Sequence, residues 1–155
     1  MLFRSPDSDG DTIKDYSEFE LGLSPYTPDT DGDGCGEAKE RGSNHVAGGQ
    51  RDPLNPNDFY DVPSPALRIN PAGMRDGGIG ITTDIVALLK YAGLTSTSAD
   101  YAADHDANGV ADGLQYDRSP STTMGMPWRS GAPDGGIGIT TDVVAMLAQV
   151  GNTCM

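Results

Sequence analysis

The sequence predicts a small, irregular, loop-rich α+β fold, and three observations carry that reading. Of 155 residues, 36% are hydrophobic and 6% aromatic, so a large apolar core is out of reach. Gly 21 and Pro 11 together make up about a fifth of the chain, and that density of turn residues keeps helices and strands short. The third observation is electrostatic. The formal net charge is −13, and much of the acid recurs at alternate positions inside glycine-containing loops. Such loops repel themselves unless something positive binds among the carboxylates.

The loop at residues 29–40 is the most explicit. Asp29, Asp31 and Asp33 hold positions one, three and five, followed by Gly34 at six, Cys35 at seven, Glu37 at nine and Glu40 at twelve. This is the EF-hand calcium-loop spacing. Calcium is a hard cation that takes six to eight oxygens, and alternate side chains of a tightly turning loop converge on one point. The seventh residue offers its carbonyl, and the closing Glu binds through both oxygens. Residues 7–18 repeat the pattern with Asp7, Asp9, Asp11, the Ile13 carbonyl, Asp15 and Glu18. Thr12 replaces the glycine of position six there, at a conformational cost of about 1 kcal/mol. A third loop at 104–115 has Asp104, Asp106, Asn108, the Val110 carbonyl and Asp112, with Gly109 at six. Gln115 takes the place of its closing acid, which predicts a weaker site. The expected cofactor is calcium, at three or more ions per chain, and the fold is expected to be stabilised by it.

Between the first two loops, Tyr16 to Leu21 reads as a short helix with Gly22 as its stop signal. Leu23-Ser24-Pro25 then leads through Pro28 into the next loop. The run from Asp7 to Glu40, with Gly22-Leu23-Ser24-Pro25 between two Asp-rich loops, resembles bacterial thrombospondin type 3 repeats. The segment from Asp52 to Asp61 resembles the tail that closes such arrays in secreted proteins. The resemblance implies a calcium-dependent extracellular rod or spacer over residues 1–61. Val62-Pro63-Ser64-Pro65 reads as the boundary to a second unit at 62–155.

That second unit contains a duplication. Asp76-Gly77-Gly78-Ile79-Gly80-Ile81-Thr82-Thr83-Asp84 recurs, residue for residue, from Asp134 to Asp142. Each copy predicts a glycine-rich turn, a short Ile-Gly-Ile strand and a Thr-capped helix ended by Gly93 or Gly151. Ile85, Val86, Leu88, Leu89 and Ala92 form one expected apolar stripe, and Val143, Val144, Met146, Leu147 and Val150 the other. Helices this short need each other. The expectation is a pseudo-two-fold helix pair, with the two Ile-Gly-Ile strands side by side and the chain's one conventional core between them.

The duplicated loop and helix, over 69–153, is similar to the dockerin repeat. Thr82-Thr83-Asp84 and Thr140-Thr141-Asp142 match the end of the dockerin loop. Its start departs: with Asp76 at position five, Ala72 and Met74 fall where acids belong, as do Ser130 and Ala132 in the second copy. One extra residue also precedes Asp84 and Asp142. The ligand count therefore leaves calcium at these two loops open.

Composition excludes several functions. The acidic balance disfavours nucleic acid, whose phosphates need basic patches, and no apolar run is long enough for membrane insertion. The carboxylates have metal-loop spacing rather than that of an acid–base pair, and there is no nucleophile motif, so no enzymatic activity is expected. Met1-Leu2-Phe3-Arg4 is too short for a signal peptide, yet loops of this kind need the calcium found outside cells. The expectation is an extracellular or cell-surface chain whose export signal is missing from this sequence. Cys35 and Cys154 make no zinc motif and pair either within one molecule or between neighbours. His45 and His105 read as surface residues, and Trp128 as packing across the helix pair or forming an exposed sugar platform. The leading function is a calcium-rigidified structural module of a surface or matrix assembly, extending to a filament subunit that binds copies of itself. The alternative is a dockerin-like module that anchors a secreted protein to another extracellular protein.

Overall fold

Glycine and proline punctuation produces many short elements, and the computed structural model, which describes residues 5–67 and 70–155, contains no helix longer than α1. The start at Met1 to Arg4 and the opening of the 69–153 repeat at Ile69 lie outside the described residues. In chain order the helices are α1 (Asp15–Leu21), α2 (Glu37–Glu40), α3 (Val86–Tyr91), α4 (Ala99–Ala102), α5 (Asp112–Tyr116) and α6 (Val144–Leu147). A two-stranded antiparallel hairpin, β1 (Ser64–Leu67) and β2 (Asn70–Met74), lies between α2 and α3. The class is a small irregular α+β. The hairpin falls where the sequence reads as a linker, because Pro65 and Pro71 mask it; a two-stranded sheet is all edge and tolerates both. Helix α1 ends as expected, with Gly22 at φ +78° returning its N–H to the Glu18 and Phe19 carbonyls.

The duplicated segments are related by a pseudo-two-fold, but by exchange rather than by direct pairing. Ile79 pairs with the stretch after α6: its N–H donates to Asn152 O (3.0 Å), and its carbonyl accepts Gly151 N–H (2.9 Å). Ile137 does the same with the stretch after α3, donating to Leu94 O (2.9 Å) and accepting from Gly93 N–H (2.8 Å). The two Ile-Gly-Ile strands therefore do not lie side by side. Each closes the other copy's helix.

The extra residue before Asp84 and Asp142 is absorbed as a π-turn, over Ile81–Ile85 and Ile139–Val143, which runs directly into α3 and α6. This shifts the buried face. Ile85, Ala87, Leu88 and Tyr91 are buried, as are Val143, Ala145, Met146 and Gln149, whereas Val86, Leu89, Val144 and Leu147 are exposed. Nor do the threonines cap the backbone. Gly80 and Gly138 are the N-cap residues, and the Thr83 and Thr141 hydroxyls donate to the carboxylates of Asp84 and Asp142.

The core is larger than the helix pair. One apolar cluster includes Cys35, Phe59, Tyr60, Val62, Tyr101 and Tyr116 together with the helix residues. Tyr91 stacks on Tyr116 with ring centroids 4.0 Å apart, and the Tyr60 hydroxyl donates to the Tyr116 carbonyl. A disulfide between Cys35 and Cys154, with Cα atoms 5.2 Å apart, ties the second acidic loop to the chain end beyond α6. The cysteines thus close one molecule and are not available to link neighbours. His45 and Trp128 stack on each other, with ring centroids 4.2 Å apart.

Candidate metal centres

All three acidic loops fold on one hydrogen-bond frame. In the second loop, the N–H groups of Gly32 and Gly34 donate to the two oxygens of Asp29 (2.8 and 3.0 Å). Asp33 N–H donates to Asp31 (3.1 Å) and Cys35 N–H to Asp33 (2.8 Å). The first loop repeats this with Gly10 to Asp7 (3.0 Å), Asp11 to Asp9 (3.2 Å) and Ile13 to Asp11 (2.7 Å). The third repeats it with Asn108 and Gly109 to Asp104 (3.0 and 2.9 Å) and Val110 to Asn108 (2.8 Å). In Asp9, Asp11 and Asp31 one oxygen braces the loop and the other is buried without a partner, whereas Asp29 and Asp104 accept loop N–H groups on both oxygens. Position six is left-handed in every case: Thr12 at φ +86°, Gly34 at +98° and Gly109 at +87°. Thr12 adopts the glycine conformation despite its branched side chain.

The acids converge into clusters that cross loop boundaries. Asp7, Asp9 and Asp11 form one group, and Asp29, Asp31 and Asp33 another, each with ligand atoms within 4.8 Å of one another. A third group joins Asp9 and Glu18 of the first loop to Glu37 of the second, and a fourth joins Asp33 and Glu40 to Asp58. Glu37 thus faces the first loop, and the acid that accompanies Glu40 comes from the tail at 52–61. Asp15 takes a different role: both its oxygens accept from Ser8, through N–H (2.9 Å) and hydroxyl (2.8 Å).

These clusters are buried and short of partners. Glu18, Glu37, Glu40, Asp33 and Asp58 are at most 1% exposed. Both oxygens of Glu18 and Glu40, and one each of Asp9, Asp11, Asp31, Glu37 and Asp58, have no hydrogen-bond partner. Among the described residues, the ion pairs to members of these clusters are Arg129 with Asp58, at 3.7 Å, and Lys14 with Asp7, at 3.4 Å. Burial, reinforced by neighbouring acids, pushes the Asp33 carboxyl up to about 8 and that of Glu40 up to about 9. Buried oxygens of this kind, hard and unpaired, fit a hard divalent cation. The Ile13 and Cys35 carbonyls belong to the same loops.

The third loop is more open. Asp104, Asn108 and Val110 are exposed, and the Asn108 amide donates to Asp106 (3.0 Å) and Gln115 (3.2 Å), so the residue replacing the closing acid does reach the loop. Asp112 is engaged by His105, whose ring Nδ1 lies 2.6 Å from it and whose N–H donates at 3.1 Å. His105 is exposed, as expected, and its ring reaches this acid.

Acids that the loop patterns omit also enter. Asp61 groups with Asp76 and Asp84 within the same 4.8 Å limit. Its counterpart is Asp117: Gly77 N–H donates to Asp61 (2.7 Å) as Gly135 N–H does to Asp117 (2.9 Å). Val62 N–H donates to Asp84 (3.1 Å) as Arg118 N–H does to Asp142 (2.6 Å). The duplication thus begins at Tyr60-Asp61 and Tyr116-Asp117. The repeated dipeptide was the available signal, obscured by the unequal spacers that follow it. Comparison with known proteins adds no relative: no family model, curated protein or solved structure matches the chain.

Proposed function

We propose that the chain is a calcium-binding extracellular structural module, a rigid building block of a cell-surface or matrix assembly. The observation that carries this reading is the set of buried, unpartnered carboxylate oxygens on Glu18, Glu37, Glu40 and Asp58. Water-excluded acids held this close cannot all stay ionised without a cation, and the loops offer oxygen ligands rather than nitrogen or sulfur. Metal binding and folding are then one event. The disulfide supports an oxidising compartment, and no helix among the described residues is long and apolar enough to cross a membrane. In this reading the chain has no catalytic role, and any filament it builds is held by non-covalent contacts.

Calcium titration of the chelator-treated chain, followed by circular dichroism and light scattering, tests it. Ordering at three or more ions per chain, reversed by chelator, is the expected result, with growth of large particles marking the filament form. Unchanged structure after chelation overturns the reading.

One observation favours the second reading, a dockerin-like binding module. Ile81, Val86 and Leu89 are exposed, and so are their duplicates Ile139, Val144 and Leu147. Thr82 and Thr140 lie exposed beside them. Substituting both triplets by Ser abolishes capture of a receptor domain in this reading and leaves calcium-dependent folding intact.

A further inference from the structure

We propose that Asp61, Asp76 and Asp84 hold one more divalent cation, and that their pseudo-symmetric counterparts Asp117, Asp134 and Asp142 do not, because the Tyr101 hydroxyl and Asp134 N–H already satisfy Asp117. Asp76 and Asp84 belong to the duplicated loop, whose other ligand positions are not acids, and Asp61 reaches them from before the β1–β2 hairpin. Its ligand atoms lie within 4.8 Å of one another. Asp61 is 2% exposed, and its Oδ1 has no hydrogen-bond partner, while Oδ2 accepts Gly77 N–H. Asp84 is fully buried and accepts Val62 N–H on Oδ1, which leaves that oxygen a second lone pair. Among the described residues no basic side chain forms an ion pair with the three. Asp76 is exposed and, with Gly80 and Thr83, lines an open cleft that gives an ion a way in.

The second copy answers the same problem from within. Arg118 stands where the first copy has Val62, and its buried guanidinium rests on the Asp117 carbonyl (2.7 Å) and the Leu114 carbonyl (2.6 Å). The Tyr101 hydroxyl donates to Asp117 Oδ2, and Asp134 N–H to Oδ1 (2.9 Å). Asp142 accepts Arg118 N–H on one oxygen, and Gly138 N–H and the Thr141 hydroxyl on the other. No oxygen of Asp117 or Asp142 is left buried without a partner. Duplication has thus given two acid pairs with matching hydrogen bonds, which differ in that Asp61 keeps a buried oxygen without a partner and Asp117 does not.

The identity of the ion rests on the calcium reading above; its location does not. Equilibrium dialysis of the full chain against calcium, with bound ion counted per chain, tests the proposal in four variants. Asp61→Asn and Asp76→Asn are each expected to bind one ion fewer than the parent, and Asp117→Asn the parent number. Asp76 is exposed, and asparagine keeps the acceptor that Gly78 N–H uses, so that variant reports binding without a folding defect. Asp31→Asn, which touches a loop site alone, separates the two readings. If it loses an ion while Asp61→Asn and Asp76→Asn do not, this proposal falls and the loop sites stand. Loss of an ion in Asp117→Asn also overturns it, and a parent that binds no calcium overturns both.

Discussion

Glu18, which closes the first acidic loop, and Glu37, at position nine of the second, approach each other within 4.8 Å in company with Asp9. Two fully buried glutamates from different loops thus share one point, and neither has a basic partner among the described residues. In the proposed calcium-bound form, a cation at that point would make the two loops one unit and their ions are expected to bind cooperatively. Glu37→Gln is expected to weaken binding at the first loop as well as the second. The loss should be at least the roughly tenfold that removing even an outer partner of a metal site costs. Calorimetric titration reads it, and a defect confined to one ion sinks the shared-ligand argument.

Asp58 makes the corresponding link for the second loop. It lies with Asp33 and Glu40, and Asp33 in turn accepts Phe59 N–H (3.1 Å). Asp58→Asn keeps the hydrogen bond from Asp52 N–H (2.9 Å) but removes a charge from the cluster. Expected is a loss of calcium affinity of about 10- to 100-fold, against a change of less than about tenfold for Asp15→Asn, whose oxygens serve Ser8. Equal effects from the two substitutions would mean that position nine, and not the tail, completes these sites.

Proton linkage gives a sign that differs between the two forms of the protein. In the metal-free chain burial raises Asp33 from 3.8 to about 8 and Glu40 from 4.5 to about 9. The folded state then binds protons that the unfolded chain has already released. Stability of the metal-free form is fullest below the unfolded values and is lost as pH rises through the folded ones. In the proposed calcium-loaded form the ion takes the place of those protons, so that form is expected to lose stability as pH falls through the same window. Melting temperatures in chelator and in excess calcium should therefore diverge from about pH 5 to about pH 9. Parallel curves would show that the cluster neither takes up protons nor binds the ion.

Thr12 offers a gain of stability. A β-branched residue at φ +86° carries a left-handed strain of about 1–2 kcal/mol, which glycine does not feel. Glycine loses part of that advantage through its more flexible unfolded chain. Thr12→Gly is expected to stabilise the calcium-loaded protein by about 0.5–1 kcal/mol in denaturant unfolding. Destabilisation would mean that the Thr12 side chain contributes more than its backbone costs.

What the sequence could and could not reveal follows from the range of each signal. Alternate acids and a glycine at position six are local, so Asp7 to Glu18 and Asp29 to Glu40 were legible as loops. The convergence of Glu37 on Glu18, and of Asp58 on Glu40, depends on how one loop packs on the next, which no spacing rule carries. The Asp76 and Asp134 repeats were plain, but the exchange of partners between Ile79 and Asn152, and between Ile137 and Leu94, was not, because each pairing is long-range. The residue inserted before Asp84 was visible as a departure from a loop pattern. Its consequence, a π-turn that exposes Val86 and buries Ala87, needed the backbone.

The disulfide joins residues 119 apart in sequence, and closing so long a loop in the unfolded chain is where its contribution lies. Cys35 is also position seven of the second loop, so the bridge holds that loop against the stretch that follows α6. Gly48 faces both sulfurs so closely that a Cβ there would collide with them, which fixes the turn after His45 to the same point. Cys154→Ser is expected to cost about 2–4 kcal/mol. In a chain of this size that lowers the melting temperature by roughly 5–15 °C. The second loop should lose calcium affinity in the same variant, while the third loop at 104–115, remote from the bridge in sequence, keeps its own. Reduction of the parent protein must reproduce both effects; a reduced chain with unchanged melting and unchanged binding would show that the acidic clusters alone hold the loop in place.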